Sequence, residues 1–241
     1  MPLSKDSDCV LEFARAYDNY LYKSPKLFRV YLGQTNEHII PQRDVLHFHQ
    51  IVSPGAKETN DMRFFVTCTT PIKLLGKYSD AIKQTGDMFL IPSIRTADKH
   101  FKFAMPKTCF RSLNYAAIIP LRKSNQITVN LKIRNNEATK YVYKNESLTI
   151  QTSLGTRQFI LANYYPDFTN CSFEIDSNEP IMIQLVSPLA TNCMGKNNCK
   201  QDSPTDYTTY FVKHVVEEEC DEIMKDDAWS CRSRSHRSKS F

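Results

Sequence analysis

Apolar and polar residues alternate with a period of two along much of the chain. Ile127, Val129, Leu131 and Ile133 are interleaved with Thr128, Asn130 and Lys132. Successive side chains of a strand point to opposite faces, so this pattern puts four apolar groups on one side of a pleated segment. Leu148 and Ile150 continue it, with Thr149 and Gln151 turned away. Similar runs predict strands at Leu11–Tyr17, Leu27–Leu32, Val45–Val52, Met62–Cys68, Met88–Ile91, His100–Met105, Tyr115–Pro120, Arg157–Ala162, Cys171–Ile175 and Ile181–Val186. Turn chemistry separates them at Ser24-Pro25, Ser53-Pro54-Gly55, Thr85-Gly86-Asp87, Asn135-Asn136 and Ser177-Asn178-Glu179-Pro180.

Runs spaced by roughly ten residues are those of sandwiches and barrels. The expectation is an all-β fold, an antiparallel β-sandwich-like architecture or two packed β-subdomains. Helical patterns are scarce. Asp6–Tyr20 reads as a capped helix or, at least as well, as a strand. Residues 1–219 form the β-rich globular region. Residues 220–241 are acidic and then Arg/Ser-rich, and read as a short helical or disordered tail.

Composition narrows the function. The 241 residues are long enough for one large domain, and 41% are hydrophobic. The net charge of +5 is misleading, because Arg232, Arg234, Arg237 and Lys239 carry four of the five charges. A body this close to neutral gives no basic face for nucleic acid. The 6 glycines stand singly, so no phosphate-cradling loop is present and no nucleotide cofactor is expected. No run is long enough and apolar enough for a membrane-spanning helix.

Eight cysteines are present: Cys9, Cys68, Cys109, Cys171, Cys193, Cys199, Cys220 and Cys231. None forms a C-x-x-C pair, so zinc and thioredoxin-type signatures are missing and disulfides suit the wide spacing. Cys193 and Cys199 would close a small ring around Gly195. The sequons Asn145-Glu146-Ser147 and Asn170-Cys171-Ser172 agree with a secretory route and make Asn145 and Asn170 candidate glycosylation sites. The opening Met1-Pro2-Leu3-Ser4-Lys5-Asp6 has no apolar signal-peptide core, so the expectation is a fragment or an incomplete gene model.

Two constellations invite a chemical reading. His47-Phe48-His49 places two imidazoles on one strand face, as a cupin-like metal site would, but the next acidic residue, Glu58, lies beyond a turn. Two half-exposed histidines are the plainer expectation. The aromatics Tyr164-Tyr165-Pro166 and Tyr207–Phe211 form either a binding face or core. No G-x-S-x-G elbow or other nucleophile context occurs, so an enzyme is not expected.

Three stretches resemble the IgGFc-binding protein N-terminal domain family. They are Leu11–Asn19 with the following Leu27–Leu32, then Tyr143–Thr152 with Gly155–Ala162, and Cys171–Ile183. The likeness spans about residues 10–190 and carries no catalytic residue. CUB-like domains are similar through Tyr165-Pro166 and Asn170–Ile175. The resemblance implies a non-enzymatic extracellular or cell-surface binding or adhesion module with a protein or glycan partner. The alternatives are the His47/His49 metal-dependent barrel enzyme and an intracellular scaffold with reduced cysteines.

Overall fold

The structure, a computed structural model, describes residues 2–13, 25–41, 55–60, 63–80, 85–104, 113–121, 126–137, 140–151, 157–164, 171–190 and 206–213. Among them are thirteen strands and one short 3-10 turn, Ile94–Thr96. In chain order the strands are β1 Ser7–Phe13, β2 Lys26–Val30, β3 Gly55–Asn60, β4 Phe64–Cys68, β5 Leu74–Asp80, β6 Thr85–Ile91 and β7 Asp98–Ala104. They continue as β8 Leu113–Pro120, β9 Gln126–Glu137, β10 Lys140–Gln151, β11 Arg157–Tyr164, β12 Cys171–Ala190 and β13 Asp206–Phe211. Every pairing is antiparallel. The fold is all-β and sandwich-like, as the period-two pattern requires.

The main sheet runs β10-β9-β12-β8-β11-β3, with β7 and β13 also paired to β12. Strand β12 is 20 residues long and is used twice. Its first half lies between β9 and β7, with Ile175 opposite Leu131 and Phe101. Its second half lies between β8 and β13, with Ile183 opposite Ile118 and Leu185 opposite Tyr210. The register shifts between Asp176 and Ile181, where one set of partners gives way to the other.

This corrects one expectation. Ser177-Asn178-Glu179-Pro180 does not turn the chain back; β12 continues through it. Pro180 has no N–H to give a ladder, and a register shift is where a strand tolerates that loss. Local hydrogen bonds complete the irregularity. Ser177 Oγ accepts from the Glu179 N–H at 3.4 Å, and Asn178 Oδ1 accepts from the Thr128 N–H at 2.9 Å. Two other expected turns are strand as well. Thr85-Gly86-Asp87 opens β6, and Asn135-Asn136 lies in β9 paired with β10. Both join longer hairpins whose cross-strand bonds outweigh local turn preference. Of the segment Asp6–Tyr20, Ser7–Phe13 is strand β1 and residues 14–20 lie outside the described residues, as does Val45–Val52.

One face of the main sheet makes the core. Phe101, Ala116, Ile118, Ile127, Val129, Leu131, Phe173, Ile175, Ile181, Ile183 and Leu185 form one buried cluster. All the β12 members are odd-numbered, so the alternation survives the shift. Phe103 and Phe173 stack at its margin, with centroids 5.3 Å apart.

A smaller sheet, β2-β1-β4, is closed by a disulfide between Cys9 and Cys68, directly opposite each other in the register. Ser7, buried beside it, accepts the Thr70 N–H at 3.0 Å and donates to the Thr70 carbonyl at 3.2 Å. The turn after β2 needs a glycine: Gly33 has φ 75°, and the Gln34 N–H closes onto the Tyr31 carbonyl. Arg63, buried just before β4, reaches the main sheet by donating to the Pro120 carbonyl at 2.6 Å.

The third unit is the β5–β6 hairpin, laid against β13. The Val212 N–H bonds to Ile183 in β12, so the Thr209 N–H faces the other way. Asp87 of β6 meets it, its carboxylate accepting at 2.6 Å, while Asp206 accepts the Gly86 N–H at 3.1 Å. Carboxylates thus cap an open sheet edge that would otherwise offer free donors. Tyr78 and Tyr207 pack across the seam with ring centroids 4.4 Å apart. Burial, then the neighbouring Tyr78 and Asp87, push the Tyr207 hydroxyl up to about 12.

Two outcomes follow. Ile183→Ala removes a fully buried side chain and is expected to lower unfolding free energy by about 2–5 kcal/mol, whereas Leu75→Ala, at a position 51% exposed on the hairpin, changes it by about 0.5 kcal/mol or less; denaturant titration separates them. Tyr207 favours its protonated form when folded. Its contribution is complete below the unfolded value of 10.0 and is lost as pH rises toward about 12. Unfolding free energies measured across that window should fall more steeply for the native chain than for Tyr207→Phe, by about 1–3 kcal/mol in all.

Candidate functional site

In the first half of β12 the opposite face is polar by the same alternation, with Ser172, Glu174 and Asp176. Glu174 and Asp176 stand between two strands: Lys102 and His100 of β7 on one side, Lys132 and Asn130 of β9 on the other. In antiparallel pairs, directly opposed residues share a face, so these side chains meet as rows. His100 Nδ1 donates to Asp176 Oδ1 at 2.6 Å. Lys132 Nζ lies 3.4 Å from Glu174 Oε1 and 3.7 Å from Asp176 Oδ2. The result is a ladder of alternating charge on three adjacent strands.

Exposure decides what this ladder does. The His100 side chain is 67% exposed, Lys132 54%, Glu174 40% and Asp176 34%. Ion pairs this wet contribute little to folding, on the order of 0–1 kcal/mol each. Asp176 bonds one ring nitrogen of His100, whose side chain is otherwise largely exposed. Beside it stand the carboxylates of Glu174 and Asp176 and the ammonium groups of Lys102 and Lys132, on three paired strands. Such a surface presents donors, acceptors and charge of both signs to solvent. Among the described residues, no group of three or more His, Cys, Asp or Glu side chains gathers where one metal ion could sit.

The sequence-predicted site residues fare unevenly. Cys9 and Cys68 are joined. Cys171 opens β12 opposite Asn135, and Asn145 lies in β10 opposite Lys132. Cys109, Cys193, Cys199, Cys220, Cys231, Asn170, His47 and His49 lie outside the described residues. The aromatic run Tyr207–Phe211 is divided: Tyr207 turns to the hairpin, Phe211 approaches Phe89 at 6.4 Å, and Tyr210 is 42% exposed. The run is therefore a seam more than a face. Sequence reasoning missed the His100–Asp176 pair. Each residue belongs to a polar period-two set, which marks a solvated face, but the register that joins them across 76 positions is not visible locally.

No protein-family model and no curated protein matches the chain. A solved Thermotoga maritima protein is similar over 49% of this chain and 94% of its own, at 16% identity and a TM-score of 0.29, too distant to inform fold or function. The chain is therefore defined by its own architecture, an all-β protein of antiparallel sheets with one disulfide among its described residues. Among those residues no helix is long and apolar enough to cross a membrane.

A double-mutant cycle on His100→Ala and Asp176→Ala should give a coupling energy of about 0.2–1 kcal/mol. A value several-fold larger would mean the pair is a buried structural element instead of a presented one.

Proposed function

We propose that the chain is a non-enzymatic extracellular interaction module that presents the ladder of β7, β12 and β9 to a protein or glycan partner. The observation that carries this reading is the Cys9–Cys68 disulfide. Structural disulfides persist in oxidising compartments and are rare where thiols are kept reduced. This one closes a long loop, 59 residues in separation, across the middle of a small sheet. A sheet of three short strands buries little apolar surface of its own, since Cys9, Leu11 and Val30 are its buried apolar residues. Such units gain from a covalent staple.

The polar ladder supports the binding part of the reading. Charged residues placed singly on a strand need no explanation, but four of them in mutual hydrogen-bond or ion-pair range form a fixed pattern. A fixed pattern of donors and acceptors costs little ordering entropy when a partner docks. The resemblance of residues 10–190 to IgGFc-binding N-terminal domains points the same way, and the partner's identity is left open between protein and glycan.

Peptide mapping without reductant, on protein made in an oxidising secretory host, tests the compartment. A Cys9–Cys68 linked peptide is expected; two free, alkylatable thiols would remove the reading. Replacing the pair by Cys9→Ser with Cys68→Ser should lower stability by about 4 kcal/mol on chain-entropy grounds, within a range of about 2–5, read by denaturant unfolding of both proteins under the same non-reducing conditions. Asp176→Lys, which reverses the sign at the centre of the ladder, should abolish binding on a glycan array or to matrix proteins while leaving the melting temperature nearly unchanged.

A further inference from the structure

The geometry points to a modification site at the seam: Tyr78 of β5 and Tyr207 of β13 are placed for oxidative coupling into an intrachain dityrosine cross-link. Paired aromatic rings ordinarily pack with centroids about 4.5–7 Å apart. This pair, at 4.4 Å and inclined by 34°, stands at the close limit.

The two rings are also held there. Asp206, next to Tyr207, accepts the Gly86 N–H of the hairpin, and Asp87 accepts the Thr209 N–H. Residues on both sides of Tyr207, Asp206 through its carboxylate and Thr209 through its N–H, are thus bonded to the hairpin that carries Tyr78. Coupling joins ortho carbons, and rings whose centroids lie 4.4 Å apart bring ring carbons of the two tyrosines to one another with little rearrangement.

Access is asymmetric in a useful way. Tyr78 is 36% exposed and open to an external oxidant, while Tyr207 is half-buried and adjoins it. The oxidant is a haem peroxidase using hydrogen peroxide. Each phenol loses one electron and one proton to give a phenoxyl radical. The two radicals form a carbon–carbon bond between ortho positions, and each ring then regains its aromaticity by moving its ortho hydrogen to oxygen. Across the whole step two tyrosines and one peroxide give one dityrosine and two waters, so the protein loses two hydrogens. The product ties the hairpin to the main sheet, where the interactions described above are carboxylate caps and ring packing.

This inference goes beyond the interaction-module reading. It stands on ring geometry and can succeed or fail whatever compartment the chain occupies. The test treats dilute full-length protein with a haem peroxidase and limiting hydrogen peroxide. The expected result is dityrosine fluorescence in monomeric protein, a mass lower by two hydrogens, and a linked peptide containing Tyr78 and Tyr207. Tyr78→Phe and Tyr207→Phe each keep the packed ring but lose that linked peptide completely, and Tyr210→Phe retains it. If the native chain, shown folded by its thermal transition, yields dityrosine only in dimers or only between other tyrosines, the inference is overturned.

Discussion

Everything in the main sheet depends on one strand being shared. Strand β12 gives its first half to β7 and β9 and its second half to β8 and β13. The constraint is that its odd-numbered residues must stay on the buried side through the register shift. Phe173, Ile175, Ile181, Ile183 and Leu185 all do so, each at 3% exposure or less. Burying side chains of this size contributes about 1.5–3 kcal/mol apiece, which is ample to hold a strand extended through Pro180. A slip of one residue would carry the whole row to solvent and bring Glu174 and Asp176 into the core. The same parity that builds the core therefore builds the charged ladder on the other face.

Much of this was legible in the residues. Ile127, Val129 and Leu131 alternate cleanly, and the structure buries all three. The all-β class follows from such runs. What stayed hidden was pairing. Strands β3, β5 and β13 carry weak signals: Gly55–Asn60 is polar, and Leu74–Asp80 contains a glycine. In strand β5 Phe89 lies over Gly76, covering backbone that a side chain there would otherwise shield. Asn135-Asn136 and Thr85-Gly86-Asp87 have turn chemistry, and long-range pairing overrides it.

The candidate site was less legible than the fold. A cysteine pair can be suspected from composition, yet eight cysteines allow 105 pairings. Only the strand register puts Cys9 opposite Cys68. The ladder has the same origin. His100 and Asp176 are ordinary surface residues until β7 and β12 align them. Both features are made by cross-strand neighbours, which a linear reading does not reach.

Native-state hydrogen exchange tests the shared strand most directly. If β12 is one cooperative element, amides of residues 173–175 and 181–186 should exchange only through global unfolding, with the same opening free energy in both halves and the same response to denaturant. Two distinct opening energies, one for the half beside β7 and β9 and another for the half beside β8 and β13, would show that the long strand does not unify the sheet.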